Sequence, residues 1–186
     1  MRTASTEHRT ALDAIETDRL VLRPLTEADD AFILDLLNDP SWLRYIGDRG
    51  VHTLQQARDY VRNGPMAMHA RHGFGLDAVV LRDTGTPIGI CGLIRRDTLD
   101  DVDIGFAFLP AYCGLGYARE AATAVLRHAD GLGLQRIVAI TVPDNAASIR
   151  LLESIGFHFE RMLRMHGDPD ELRLYARTLD LSVRSE

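Results

Sequence analysis

The sequence predicts an α/β domain built on one mixed sheet with flanking helices. Three observations carry that reading. Short apolar stretches bounded by turn residues recur at 20–24, 74–81, 88–94 and 102–108. A long Ala- and Leu-rich stripe at helical spacing follows, from Ala118 to Leu132. Then come an Ile/Val-rich strand, a capped helix and a closing hairpin, giving the order β-α-α-β-β-β-α-β-α-β-β. With 186 residues and no internal repeat, one domain is expected over 16–182, preceded by a flexible leader at 1–15.

Leu20-Val21-Leu22-Arg23-Pro24 is a strand that its proline ends. Thr26 caps a helix with Phe32, Ile33, Leu36 and Leu37 on its apolar stripe, and Asn38-Asp39-Pro40 stops it. Thr53-Leu54-Gln55-Gln56 has the form of a capping box and opens a second helix that runs to about Gly64. Asp83-Thr84-Gly85-Thr86-Pro87 joins strands 74–81 and 88–94 as a hairpin. In the next strand Val102, Ile104, Phe106 and Phe108 alternate with Asp103, Gly105 and Ala107, so one face is small or acidic and open to close approach. Gly131 and Gly133 end the long helix, and Arg136 to Val142 is a buried-type strand. Asn145 caps a helix with Leu151, Leu152 and Ile155 on its apolar side, which Gly156 ends. Strands 157–165 and 171–179 close the domain around His166-Gly167-Asp168-Pro169.

Composition limits the function classes. There are 21 basic against 27 acidic residues, a net charge of −6, which argues against a nucleic-acid binder and would suit a cationic amine substrate. Two isolated cysteines, Cys91 and Cys113, fit a reducing compartment. Met1 to Ala14 is polar, unlike a signal peptide, and no apolar run is long enough to span a membrane, so a cytoplasmic protein with no membrane partner is expected. His158, His166 and Asp168 match no zinc spacing, and no metal is expected; a solvated turn is the plainer reading.

The segment that carries chemistry is 110–119. A strand, a glycine-containing turn and a helix start form a recurring anion cradle, because backbone N–H groups and the helix dipole both face the ligand. Gly114 and Gly116 let the backbone approach an anion, and Arg119 adds a charge. Arg119 stands where a dinucleotide fingerprint needs its third glycine, and no Gly-Lys-Ser/Thr is present for a P-loop. A plain tight turn is the alternative.

At this point the chain resembles the GNAT acetyltransferase superfamily, specifically its RimJ/RimL-like branch. The resemblance rests on Cys113-Gly114-Leu115-Gly116-Tyr117-Ala118, set between Asp103-Ile104-Gly105-Phe106 and Arg119-Glu120-Ala121, where the superfamily carries Q/R-x-x-G-x-G/A. A second block, Asn145-x-x-Ser148-x-x-Leu151-Leu152-Glu153-x-x-Gly156-Phe157, matches the branch in the right order. Thr17 to Arg23 and Leu174-Tyr175 also look like the family, so the likeness covers about 15–180. Cys113 stands in the Q/R position, a departure.

The resemblance implies a mostly antiparallel sheet whose fourth and fifth strands splay, with the pantetheine of acetyl-CoA lying between them. Phe106, Ala107 and Phe108 would then supply backbone contacts. Gly114, Leu115, Gly116, Tyr117, Ala118 and Arg119 would cradle the pyrophosphate, and Asn145 would face the pantetheine from the other wall. The activity implied is N-acetyl transfer to a primary amine (a protein N-terminus, an amino acid or a small amine) by direct attack on the thioester. An N–H near Phe108 would polarise the thioester carbonyl. An ammonium must lose a proton, for which Asp103 is the chosen base, the alternative being an ion-paired strand carboxylate. Leu152 occupies the place of the tyrosine acid of many members, which leaves Ser148 as proton donor or as a mere capping-turn hydroxyl. Cys113 is a weaker donor candidate. Trp42 and Tyr45, with Ile46, would wall the acceptor pocket, or simply pack in the core. Arg150 reaches a phosphate or stays a solvated helix residue. Dimers are common among such enzymes, so a homodimer is one expectation. Two other readings stay open: a non-catalytic acyl-CoA-binding module, and a nucleotide binder using the Gly114–Gly116 turn.

Overall fold

The computed structural model describes residues 14–165 and 170–179. The leader up to residue 13, the turn residues His166 to Pro169 and the end of the chain after Leu179 lie outside the described residues. Eight strands form one sheet in the order β1-β2-β3-β4-β5-β6-β8-β7. They are β1 Ile15–Glu16, β2 Leu20–Pro24, β3 Leu76–Leu81, β4 Pro87–Ile94, β5 Val102–Phe108, β6 Arg136–Thr141, β7 His158–Arg164 and β8 Glu171–Thr178. All neighbouring pairs are antiparallel except β5 with β6. The helices are α1 Asp30–Leu37, α2 Pro40–Tyr45, α3 Leu54–Val61, α4 Ala67–His72, α5 Tyr117–Gly131 and α6 Ala146–Ser154.

The sheet separates two apolar clusters. On one face α5 and α6 set Ala121, Ala122, Val125, Leu126, Ala129 and Leu152 against Leu22, Val79, Cys91, Leu93, Ile104 and Ile137. On the other face α1, α2 and α3 set Ile33, Leu36, Trp42, Ala57 and Val61 against Ala78, Val80 and Ile90. The alternation of β3, Val79 to one side and Ala78 and Val80 to the other, is the period-2 pattern of a strand covered on both faces. Ile88 joins the same face as Cys91 because the β3–β4 register steps from Val79↔Gly89 to Val80↔Pro87, a bulge that turns the extra residue over. The alanines of α5 keep the helix close to the sheet, so the start of α5 is held firmly where β5 ends.

The relationship that matters most is between β5 and β6. They pair only at Val102↔Ile137 and Asp103↔Val138. From Ile104 to Phe108, β5 is bonded on its β4 side alone, Ile104 opposite Leu93 and Phe108 opposite Gly89. Its other edge therefore presents alternate N–H and C=O groups to an opening. The fourth and fifth strands of the sequence reading are β5 and β6 once the two-residue β1 is counted, and they splay as the resemblance implied.

Two expectations are corrected. The helix that opens at Thr53 does not stop near Gly64: it passes through a π-helical turn, Arg62–Met66, into α4 and ends at Gly73 with φ 75°. The wider turn absorbs Pro65, which lacks an N–H and would otherwise break the helix. The stop at Asn38-Asp39-Pro40 is also a start. Asp39 caps α2 by accepting from Ser41 N at 2.8 Å, and Pro40 takes the first helical position.

Candidate functional site

The splay of β5 and β6 opens a cavity of about 890 Å³ that reaches both faces of the sheet. Asp103, Phe106, Ala107 and Phe108 of β5 form one wall, and Ala139 to Thr141 of β6 with Asn145, Ser148 and Leu152 form the opposite one. Trp42, Tyr45 and Ile46 of the α2 region close the side of the α1–α3 face. Gly114, Gly116, Ala118 and Arg119 line the end where β5 runs into α5.

The turn before α5 has the backbone that its glycines foreshadow. Gly114 and Gly116 sit at φ 75° and 83°, the left-handed region that L side chains rarely adopt. The first intrahelical bond of α5 is Glu120 N–H to Gly116 C=O at 3.1 Å. The N–H groups of Tyr117, Ala118 and Arg119 therefore precede the helix's own acceptors and point outward, with the positive end of the helix dipole behind them. Leu115 and Tyr117 do not line the cavity. Arg19 holds them from outside: its Nη1 donates to the Leu115 backbone O at 3.1 Å and its guanidinium lies 4.4 Å from the Tyr117 ring centre, while the Leu115 side chain is exposed. Glu120 fixes that clamp, accepting from Thr17 Oγ1 (2.6 Å), Arg19 N (2.9 Å) and Arg19 Nε (2.7 Å). Burial raises the Glu120 carboxyl, but these hydrogen bonds outweigh it and hold the group below its usual range.

At the far end of β5, Asp103 is 1% exposed. Its Oδ2 accepts from Arg96 Nε at 3.0 Å, and its Oδ1 has no partner among the described residues. Burial lifts this carboxyl above its ordinary value, with Arg96 pulling the other way. The ion-paired strand carboxylate and the cavity-lining carboxylate are thus the same residue. Arg49 lines the cavity nearby, and both arginines act on the Tyr60 hydroxyl, which burial raises against their pull. Sequence reasoning missed Arg96 and Arg49: each sits in a connection without a motif, and Arg96 is marked only by its contact with Asp103.

Asn145 caps α6, its Oδ1 accepting from Ser148 N at 3.1 Å, and both side chains border the cavity. Trp42 is both core and wall: it is buried, its Nε1 donates to Gly47 O at 3.1 Å, and one edge faces the cavity. Tyr45 is half-buried under Arg44, whose Nη2 meets Asp144 Oδ2 at 3.0 Å across the opening. Cys113 lines the cavity with its Sγ 3.8 Å from Phe108 O; burial, then Asp39, raises its thiol.

An acetyltransferase (GNAT) domain family model matches residues 19–158. The chain belongs to the GNAT acetyltransferase family. It is similar to the uncharacterized N-acetyltransferase YoaA of Bacillus subtilis, 30% identical over 170 residues, covering 87% of this chain and 94% of that one. YkkB of the same organism is 31% identical over 159 residues, covering 82% and 90%. Among solved structures, the acetyltransferase from Agrobacterium tumefaciens superposes with a TM-score of 0.77 at 27% identity, covering 90% of this chain and 95% of that one. A RimL ribosomal L7/L12 alpha-N-protein acetyltransferase in complex with coenzyme A shares the fold, with a TM-score of 0.78 at 20% identity, covering 91% and 100%. This GNAT chain is therefore an acetyltransferase with the mixed sheet and RimL-like neighbours that its sequence predicted, using acetyl-CoA and an amine acceptor. Among the described residues no helix is long and apolar enough to cross a membrane.

Proposed function

We propose that this chain acetylates a primary amine in the cytoplasm by direct attack on acetyl-CoA bound in the β5–β6 cleft. The observation that carries the reading is the open edge of β5 from Ile104 to Phe108, beside a cavity that ends at the N-terminus of α5. A pantetheine arm presents amides at strand-like spacing, which that unpaired edge fits. The outward N–H groups at 117–119, the glycine turn at Gly114 and Gly116 and the Arg119 guanidinium suit a pyrophosphate. Leu115 and Tyr117 contribute through their backbone N–H groups, since Arg19 covers the Tyr117 ring and holds the Leu115 carbonyl. Asn145 borders the arm from the α6 side.

Acetyl-CoA supplies an activated carbonyl carbon and a thiolate leaving group. Asp103 Oδ1, buried and without a partner among the described residues, takes the proton of the incoming amine, and its raised pKa suits a base for that purpose. The amine nitrogen bonds to the carbonyl carbon, the C–S bond breaks, and Ser148 is placed to give a proton to the departing sulfur. An N–H at the Asp103 end of the open β5 edge stabilises the carbonyl oxygen as charge builds on it. Trp42 and Tyr45 wall the acceptor's side. The RimL neighbour acts on a protein N-terminus by its name, but the acceptor of this chain is set by its own residues.

The test is thiol release from acetyl-CoA by purified protein with amino acids, polyamines and short peptides, the products identified by mass spectrometry. Acceptor-dependent release with one acetyl-amine per thiol supports the reading. Tight acetyl-CoA binding without release by any amine would favour a binding module instead.

A further inference from the structure

The charges inside the cavity differ from those of the molecule. The chain carries a net −6, yet among the described residues the cavity is lined by four arginines, Arg49, Arg96, Arg119 and Arg150, and by one carboxylate, Asp103. Local charge dominates recognition inside a cleft, because its walls focus the field and exclude screening solvent. An acceptor is therefore selected by these arginines more than by the surface.

The four fall into two groups. Arg119 is in the first turn of α5 and Arg150 is on α6, at the end where β5 and β6 have parted. Arg96 is bonded to Asp103 at the opposite end of β5, a strand of seven residues and so roughly 20 Å long. Arg49 follows α2, on the α1–α3 face, and both Arg49 and Arg96 act on Tyr60 of α3. One pair serves the phosphate end; the other is too far along the strand to share that task. Arg96 uses only Nε on Asp103, which leaves its terminal nitrogens as donors. Arg49 makes no ion pair or hydrogen bond among the described residues.

We propose that the amine acceptor carries a carboxylate, as an amino acid does, with its amine at Asp103 Oδ1 and its carboxylate on Arg96 and Arg49. The inference rests on the acetyl-transfer reading of the cavity. Asp103 alone would accept any amine, but a polyamine would bring a second cation toward two guanidinium groups already there. A carboxylate reverses that repulsion and meets planar donors that match its two oxygens.

The experiment compares glycine, alanine, serine, aspartate, glutamate and lysine with their carboxamides and decarboxylated amines, with acidic-start and serine-start peptides and spermidine as further arms. For the preferred acceptor, kcat/KM should exceed that of its amide roughly tenfold to a hundredfold, as loss of a charge-assisted hydrogen bond does. Arg49→Ala should raise its KM by a similar factor while kcat and the acetyl-CoA KM hold, and Arg49→Lys should recover part. An amide, decarboxylated amine or spermidine used as well as the carboxylate, or an unchanged KM in Arg49→Ala, overturns the proposal. Calorimetric binding of the same series to CoA-saturated protein keeps the two ideas apart. Arg49-dependent carboxylate binding without turnover removes the transferase reading only, and turnover indifferent to the carboxylate removes this proposal only.

Discussion

Asp103 stands opposite Val138 in the last rung that β5 shares with β6, and beyond this pair the strands part. The carboxylate is thus fixed where the sheet is still bonded, at the root of a cleft whose walls are bare backbone. Asp103→Asn keeps the shape and removes the base. In this variant kcat/KM should fall roughly a hundredfold to ten-thousandfold. In the wild type the acidic limb of the rate profile should lie above the ordinary carboxylate range near about 4, because burial, opposed by Arg96, raises this group. Activity rises as pH climbs through that value, and the limb should disappear in the variant.

The same shift makes a prediction about stability. A carboxyl whose folded pKa is raised takes up a proton on folding, so its contribution is present at low pH and lost as pH rises through the folded value. Asp103→Asn should therefore unfold no earlier than wild type near pH 8, even as activity collapses. Thermal melts of the two proteins at pH 5 and 8 check this, and an earlier melt of the variant at pH 8 would count against it.

Asp29 runs the other way. It is buried, and although burial raises its carboxyl, Arg23 at 2.7 Å and 2.9 Å and Thr26 N at 2.8 Å hold it below the usual range. Its contribution is present above the unfolded value and lost as pH falls through the folded one. Asp29→Asn should cost about 1–3 kcal/mol at neutral pH, with a smaller deficit at acid pH, below the ordinary carboxylate range. Denaturant titrations at both pH values measure the difference.

Gly114 tests the cradle. Its φ of 75° strains any side chain, yet a Cβ there would meet no atom within 4 Å. Gly114→Ala should cost about 1 kcal/mol in stability. Its larger expected effect is on acetyl-CoA, whose Kd should rise while the acceptor KM stays the same. Calorimetry and steady-state kinetics report the two separately.

What the sequence made legible followed from local chemistry. The glycine turn, the Asn145 cap, the β5 alternation and the α5 stripe are each written within a few residues, and each occupies its expected place. What it hid depended on context. Pro65 reads as a helix end, and only a π turn carries the chain past it. Asn38-Asp39-Pro40 reads as a stop, although the same Asp39 caps the next helix, so the α2 wall of the cavity went unseen as an element. Arg96 and Arg49 lie on irregular segments, and nothing near them in the chain announces Asp103 or the cavity. Residues that bind through tertiary approach leave no periodic trace.

The measurement that bears most directly on the central claim is single-turnover thiol release from acetyl-CoA, with and without an amine acceptor, in wild type and Asp103→Asn. Release should occur only with acceptor in wild type, one acetylated amine per thiol, with a slow reaction in the variant at an unchanged acetyl-CoA Kd. Release that ignores the acceptor, or that proceeds equally in Asp103→Asn, would contradict it.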